Sequence, residues 1–168
     1  MLLNKYQIQS IKENKVTFVK NFVILDRPYD FNLVSKLIEE NDLQSMSKSN
    51  YGGLKNVFQI RGVVNLLKEF NVLFDFFSKT FNYKYDQRNN VDLFLSLISQ
   101  AGVPHIDEED VFIIGLNGNM IYKVFNDKIV DYHISKGDLI FIPKGVKHKV
   151  IGVSSRISMS VGFFNERS

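Results

Sequence analysis

The second half of the chain is cut at close intervals by turn-forming residues, and this punctuation constrains the fold more than any other feature. Asn117-Gly118-Asn119 and Asn126-Asp127 have the chemistry of hairpin turns. Ser135-Lys136-Gly137-Asp138 and Pro143-Lys144-Gly145 mark two further turns. Between them lie short runs of Val, Ile, Leu, Phe and Tyr. They predict strands over Val91–Ser99, Val111–Leu116, Met120–Phe125, Lys128–Ile134, Asp138–Ile142, Lys147–Gly152 and Ile157–Phe163. Short strands at this spacing build an antiparallel sandwich or barrel.

Before residue 85 the texture is helical. Asp30 can N-cap a helix running to about Asn41, with Leu33, Val34, Leu37 and Ile38 on one face. A second amphipathic stretch runs from Val63 to Phe81 and carries Leu66, Leu67, Phe70, Leu73, Phe74 and Phe77. The polar segment Ser45–Gly53 reads as a loop. Val16–Val19 and Val23–Leu25 read as short edge strands. The chain of 168 residues suits one domain with a sizeable core. We expect a mainly β fold with N-terminal helices: residues 1–85 as helical and edge-strand decoration, 86–165 as the barrel core.

Composition limits the chemistry. There is no Cys, which excludes disulfides, thiolate metal sites and Cys nucleophiles. A transition-metal site must be built from carboxylates and three histidines, His105, His133 and His148. Twenty-one Lys and Arg against eighteen Asp and Glu give a net charge of +3, with the basic residues scattered. No nucleic-acid partner is expected from that distribution. No secretory leader or apolar run of ~18 residues is present, so no membrane segment and a cytoplasmic location are expected.

Two histidines stand in informative settings. In Pro104-His105-Ile106-Asp107, an extended backbone projects His105 and Asp107 to one side, because side chains alternate with a period of two. The segment Gly137 to His148 ends one strand at a Pro-x-Gly turn and opens the next with His148. An antiparallel return can bring His148 beside the H-x-D pair. Two imidazoles and one carboxylate form the facial triad of non-haem Fe(II) oxygenases.

Gly137, Pro143, Gly145 and His148 match the G-x5-P-x-G-x2-H motif of cupin barrels at every fixed position. Pro104–Gly118, Gly137–His148 and Ser160-Val161-Gly162-Phe163 resemble the JmjC-type cupin-fold oxygenases, over roughly residues 90–164. The likeness is greatest to their small hydroxylase branch, which includes bacterial ribosomal-protein hydroxylases and the asparaginyl hydroxylase of hypoxia-inducible factor. The resemblance implies a double-stranded β-helix, Fe(II) as cofactor, 2-oxoglutarate as cosubstrate, and O2. It places His105, Asp107 and His148 on the three metal positions.

The cosubstrate anchor departs from that pattern. These hydroxylases commonly carry Lys or Arg two residues after the hairpin glycine, where this chain has Met120. Lys123 is near but alternates out of phase with Met120 and Tyr122. The wider superfamily also uses an Arg after the distal His, often as R-x-S. Arg156-Ile157-Ser158 matches this, and its fork suits a carboxylate. Arg156 is preferred to Lys123, with Ser158 and Tyr122 as further donors. The competing reading of Arg156 is an exposed residue beside Ser154-Ser155.

Other residues take plainer readings. His133 is expected on the surface, and Glu108-Glu109-Asp110 as a solvated acidic turn, with the alternative that one of the three steers or binds substrate. Ordinary cupins place a metal-binding Glu near 110 or 111. Asp110 and Val111 stand there, so a four-ligand site is not expected. Phe112 and Phe141 are expected in the core or lining the pocket, and Asn90 and Ser96 are further pocket candidates. The expected activity is hydroxylation of a peptide side chain or small metabolite. The rivals are a metal-dependent cupin without 2-oxoglutarate and a non-catalytic binding cupin. The chain ends soon after the last strand, which leaves a ribosomal-protein substrate less expected and the oligomeric state open.

Overall fold

Two antiparallel sheets face each other and alternate in their claim on the chain. A computed structural model describes residues 3–41, 46–47, 57–84, 91–97 and 100–164. Among these, the strands are β1 (Thr17–Val19), β2 (Met46–Ser47), β3 (Val57–Ile60), β4 (Val91–Ser96), β5 (Gln100–Ala101) and β6 (Asp110–Asn117). They continue as β7 (Met120–Phe125), β8 (Ile129–Ile134), β9 (Leu139–Ile142), β10 (His148–Gly152) and β11 (Arg156–Phe163). The larger sheet has the order β1-β9-β6-β11-β4-β3-β2 and the smaller β5-β10-β7-β8. From β4 onward the chain crosses from sheet to sheet, except at the β7–β8 hairpin. That winding is a double-stranded β-helix.

Alternation sorts the side chains of the larger sheet. On β6, Phe112, Ile114 and Leu116 join the core with the helices, while Val111 and Ile113 join the cluster between the sheets. β11 divides in the same way: Ile157, Met159, Val161 and Phe163 pack toward the helices. Arg156, Ser158 and Ser160 instead line the barrel interior. Phe112 and Phe141 are therefore core residues and line neither of the two cavities at the barrel interior. Phe112 stacks on Phe77 with ring centroids 4.2 Å apart.

The helices are α1 (Lys5–Lys12), α2 (Phe31–Glu40) and α3 (Lys68–Phe81). Asp30 caps α2 by accepting from Leu33 N at 2.8 Å. α3 begins later than its apolar pattern: Val63–Asn65 form a separate 3-10 turn. It ends at Asn82, which takes a left-handed conformation. α1 was not anticipated, although Asn4 and Gln7 form a capping box.

Three expectations are corrected. Val23–Leu25 is not a strand; Val23 N donates to Gly137 O, and Val23 and Leu25 pack on the helical core. β9, not that segment, pairs with β1. The H-x-D segment is extended but lies outside the ladders, with a single bridge from His105 to His148. Asp110 is not solvated. It is fully buried and accepts from Tyr83 Oη at 2.8 Å and Lys144 N at 2.9 Å. Asn90, most of Ser45–Gly53 and the end of the predicted strand 91–99 lie outside the described residues.

Candidate metal centre

The site is assembled where the loop before β6 meets the start of β10. His105 N donates to His148 O at 2.8 Å, and His148 N donates to His105 O at 2.9 Å. This reciprocal bridge puts the two rings side by side, with centroids 4.4 Å apart. Ile106, between His105 and Asp107, is turned out and 55% exposed. The alternation inferred from the sequence thus holds without a strand. Gly145 N donates to Asp107 O at 3.1 Å and ties this loop to the Pro-x-Gly turn. Gly145 has φ +82°, which suits glycine.

The donor atoms converge. One ligand atom from each of His105, Asp107 and His148 lies within 4.8 Å of the others. His148 Nε2 is 3.4 Å from Asp107 Oδ2, and His105 Nε2 is 3.8 Å from Asp107 Oδ1. Each Nδ1 faces a main-chain carbonyl two residues upstream: Val103 O at 3.2 Å and Val146 O at 3.0 Å. A carbonyl only accepts, so each Nδ1 carries the hydrogen and each Nε2 keeps its lone pair. Burial pushes His148 below its ordinary value, which favours the neutral ring that a metal needs. The all-N/O set fits Fe, Ni or Zn.

A cavity of about 70 Å³ continues from this triad between the sheets. Its walls include Tyr122 from β7, Arg156, Ser158 and Ser160 from β11, and Phe94 from β4. Arg156 is 4% exposed, so it is not a surface loop residue. Its Nη1 is buried and has no hydrogen-bond partner among the described residues. Burial pushes the guanidinium below its ordinary value, partly opposed by Tyr122. An unsatisfied buried donor costs about 1–3 kcal/mol, which an anion seated here would recover. The carboxylate-binding expectation for Arg156, Ser158 and Tyr122 therefore has a fitting pocket.

Lys123 is corrected. It lies outside this cavity and pairs with Asp131 of β8. Tyr122 faces inward, so its neighbour in the strand must face outward. Met120 is buried in the inter-sheet cluster, opposite Gly152. The Arg156 guanidinium occupies the space over Gly152. A basic group thus lies beside the position where Met120 lacks one. His133 is exposed, as expected, and Ser96 is buried without lining the cavity.

A second cavity, about 370 Å³, shares Asp107, Phe94, Val111 and Ser160 with the first. Its remaining wall includes Gln59 and Asp92, which the sequence did not mark as pocket residues, and Glu109 from the acidic run. Burial pushes Asp92 up, against hydrogen bonds from Gln59 and Gly62. Burial and the nearby Asp107 carboxylate also raise Glu109.

No family model matches the chain. The bifunctional lysine-specific demethylase and histidyl-hydroxylase NO66 of Branchiostoma floridae is 27% identical over 63 residues. These residues are 38% of this chain and 10% of that protein. The ribosomal oxygenase YcfD of Escherichia coli superposes with a TM-score of 0.67 at 19% identity, over 96% of this chain and 52% of that one. It has also been solved with cobalt and 2-oxoglutarate. The 2-oxoglutarate-dependent carbocyclase SnoK of nogalamycin biosynthesis gives 0.65 at 12% identity, over 96% of this chain and 84% of that one. The chain spans about half the length of YcfD and a tenth of NO66. It shares the double-stranded β-helix fold of the JmjC-type and 2-oxoglutarate-dependent oxygenases.

Proposed function

We propose that this chain is an Fe(II)- and 2-oxoglutarate-dependent oxygenase that hydroxylates a C–H bond of a peptide side chain or small metabolite. The observation that carries this reading is a single cavity joining a two-His, one-carboxylate triad to a buried guanidinium nitrogen without a hydrogen-bond partner among the described residues. The likeness to a ribosomal oxygenase and a histidyl-hydroxylase favours a peptide side chain.

His105, Asp107 and His148 would hold Fe(II). Arg156, with Ser158 and Tyr122, would hold the distal carboxylate of 2-oxoglutarate. When bound, Fe(II) and 2-oxoglutarate would together activate O2, the oxidant: one oxygen atom would go to succinate as CO2 leaves, and the other to the substrate C–H bond. The chain's own contribution is placement. The carbonyls of Val103 and Val146 fix the two rings, and Asp107 supplies the negative ligand between them. Phe94, Val111 and Ile113 line the cavity and limit water around the reacting centre.

Anaerobic titration of the Fe(II)-loaded chain with 2-oxoglutarate tests this. The expected result is a weak visible charge-transfer band, together with a rise in melting temperature that requires both components. Absence of both responses overturns the proposal. Metal binding without any 2-oxoglutarate response would indicate a metal-dependent cupin of another kind. No metal binding at all would indicate a binding module.

A further inference from the structure

We infer that the chain forms a twofold dimer by antiparallel pairing of β8 with β8 of a second copy, in the register that sets Asp131 opposite His133 of that copy. The dimer is independent of the oxygenase reading above.

This edge is open where the others are closed. Among the described residues, the remaining edge strands are short: β2 and β5 have two residues each and β1 has three. α1 is also tied to β1, with the hydroxyls of Ser10 and Thr17 2.8 Å apart. β8 has six residues, contains no Pro, and pairs only with β7 among the described residues. Its Ile129 and Val130 are 64% and 40% exposed. Proteins shorten, charge or cover a strand edge to stop it pairing, so a long apolar edge points to a strand that pairs with it.

The phase of the hydrogen bonds fixes what the edge offers. Phe125 N donates to Lys147 O at 2.9 Å, and Val153 N donates to Asn119 O at 3.2 Å. The odd-numbered residues of β7 therefore bond β10, and the even-numbered ones bond β8. Met120, Tyr122 and Val124 stand opposite Ile134, Tyr132 and Val130. Those three residues of β8 direct their main-chain groups at β7. The N–H and C=O groups of Ile129, Asp131 and His133 face the open edge.

The side chains choose the occupant and the register. For these groups to meet, two antiparallel copies must match odd residues to odd residues. Centring the pair on Asp131 opposes two carboxylates. Centring it on Val130 or His133 leaves half of the six residues unpaired. Centring it on Tyr132 overlaps residues 130–134 and sets Asp131 opposite His133 in both halves. Each such pair exchanges two main-chain hydrogen bonds. Lys123 holds Asp131 Oδ1, which leaves Oδ2 to accept from the imidazole. Tyr132 meets its twin across the axis as an aromatic pair, with Val130 beside Ile134 on the same face. Lys128 and Lys136 fall in the turns outside the strand. The strand is complementary to itself, which an isologous twofold interface requires.

Sedimentation velocity of the full chain from about 1 μM to about 1 mM tests this, and the dimer fraction should rise with concentration. His133→Pro removes an outward N–H and no β7–β8 bond, at a kind of position where an edge strand tolerates Pro. It should weaken the dimer by about tenfold or more while the β-sheet circular dichroism is kept. His133→Asp opposes carboxylates and should do the same. Adding Asp131→His to it should restore the dimer. Tyr132→Cys reads the register. The chain has no Cys, so a disulfide can form only between copies, and a closely spaced cross-strand pair suits one. Mild oxidation should link Tyr132→Cys and leave Ile129→Cys, which sits several residues from its twin, unlinked. A monomer throughout the range, a dimer unchanged in folded His133→Asp, failure of the double exchange to restore it, or equal cross-linking of both cysteine variants overturns the inference. If His133→Pro does not fold, His133→Asp and the cysteine variants decide.

Discussion

The guanidinium of Arg156 lies over the backbone of Gly152, so closely that a Cβ at position 152 would overlap Nη1. Gly152 opens β10's exit and Arg156 opens β11, so the glycine clears the space through which the arginine enters the cavity. Gly152→Ala should therefore weaken 2-oxoglutarate binding by about tenfold or more, with metal affinity unchanged. Parallel titrations of metal and 2-oxoglutarate would read the two effects separately. Equal loss of both would show a general collapse of the site instead.

Arg156→Met should split ligand binding from stability. It removes the proposed carboxylate anchor, so 2-oxoglutarate should no longer raise the melting temperature. Without ligand, the variant should be as stable as the wild type or more stable, by on the order of 1 kcal/mol, because a buried cation lacking a full set of partners is gone. Denaturant unfolding with and without 2-oxoglutarate measures both. A strongly destabilised ligand-free variant would show that Arg156 has a structural role.

Chelation should lower the melting temperature of metal-loaded protein, and Fe(II) or Ni(II) should restore it. In Asp107→Ala the restoration should be lost, because two imidazoles remain without the negative ligand. Metal analysis after gel filtration gives an independent reading.

The raised carboxyl of Asp92 predicts a pH signature. Its folded form holds the proton more tightly than the unfolded chain does. The associated stability is fully present below about pH 3.9 and is lost as the pH rises through the folded value. Asp92→Asn lacks this loss, so it should gain stability relative to the wild type between about pH 3.5 and pH 7. Urea unfolding at the two pH values tests it, and a constant difference would count against a raised carboxyl.

We propose that residues 1–168 form one cooperative unit, because the aromatic core joins α3 to the larger sheet. Phe112→Ala removes a fully buried ring that stacks on Phe77 and Phe81 of α3 and packs against Phe141 of β9. It should cost about 3–5 kcal/mol and lower helix and sheet melting together. Separate transitions would divide the chain into two units.

The barrel was legible wherever turns carry their own chemistry. Gly118, Gly137 and Gly145 all have positive φ, and their neighbours delimited β6 to β10 closely. Arg156-x-Ser158 was legible because alternation fixes which residues share a face. The wall carrying Gln59 was not legible, since β3 has only four residues and a burial pattern without clean alternation. Asp110 was misread because its partners, Tyr83 and Lys144, lie 27 and 34 residues away. Val23–Leu25 has a strand's composition, but β9 already pairs with β1 and β6.

The reciprocal amide bridge between His105 and His148 sets the width of the metal socket in the main chain. Side-chain replacement leaves that span in place. Exchanging one imidazole for a carboxylate, or Asp107 for a third imidazole, would change which ion is captured while the barrel around it stayed as built.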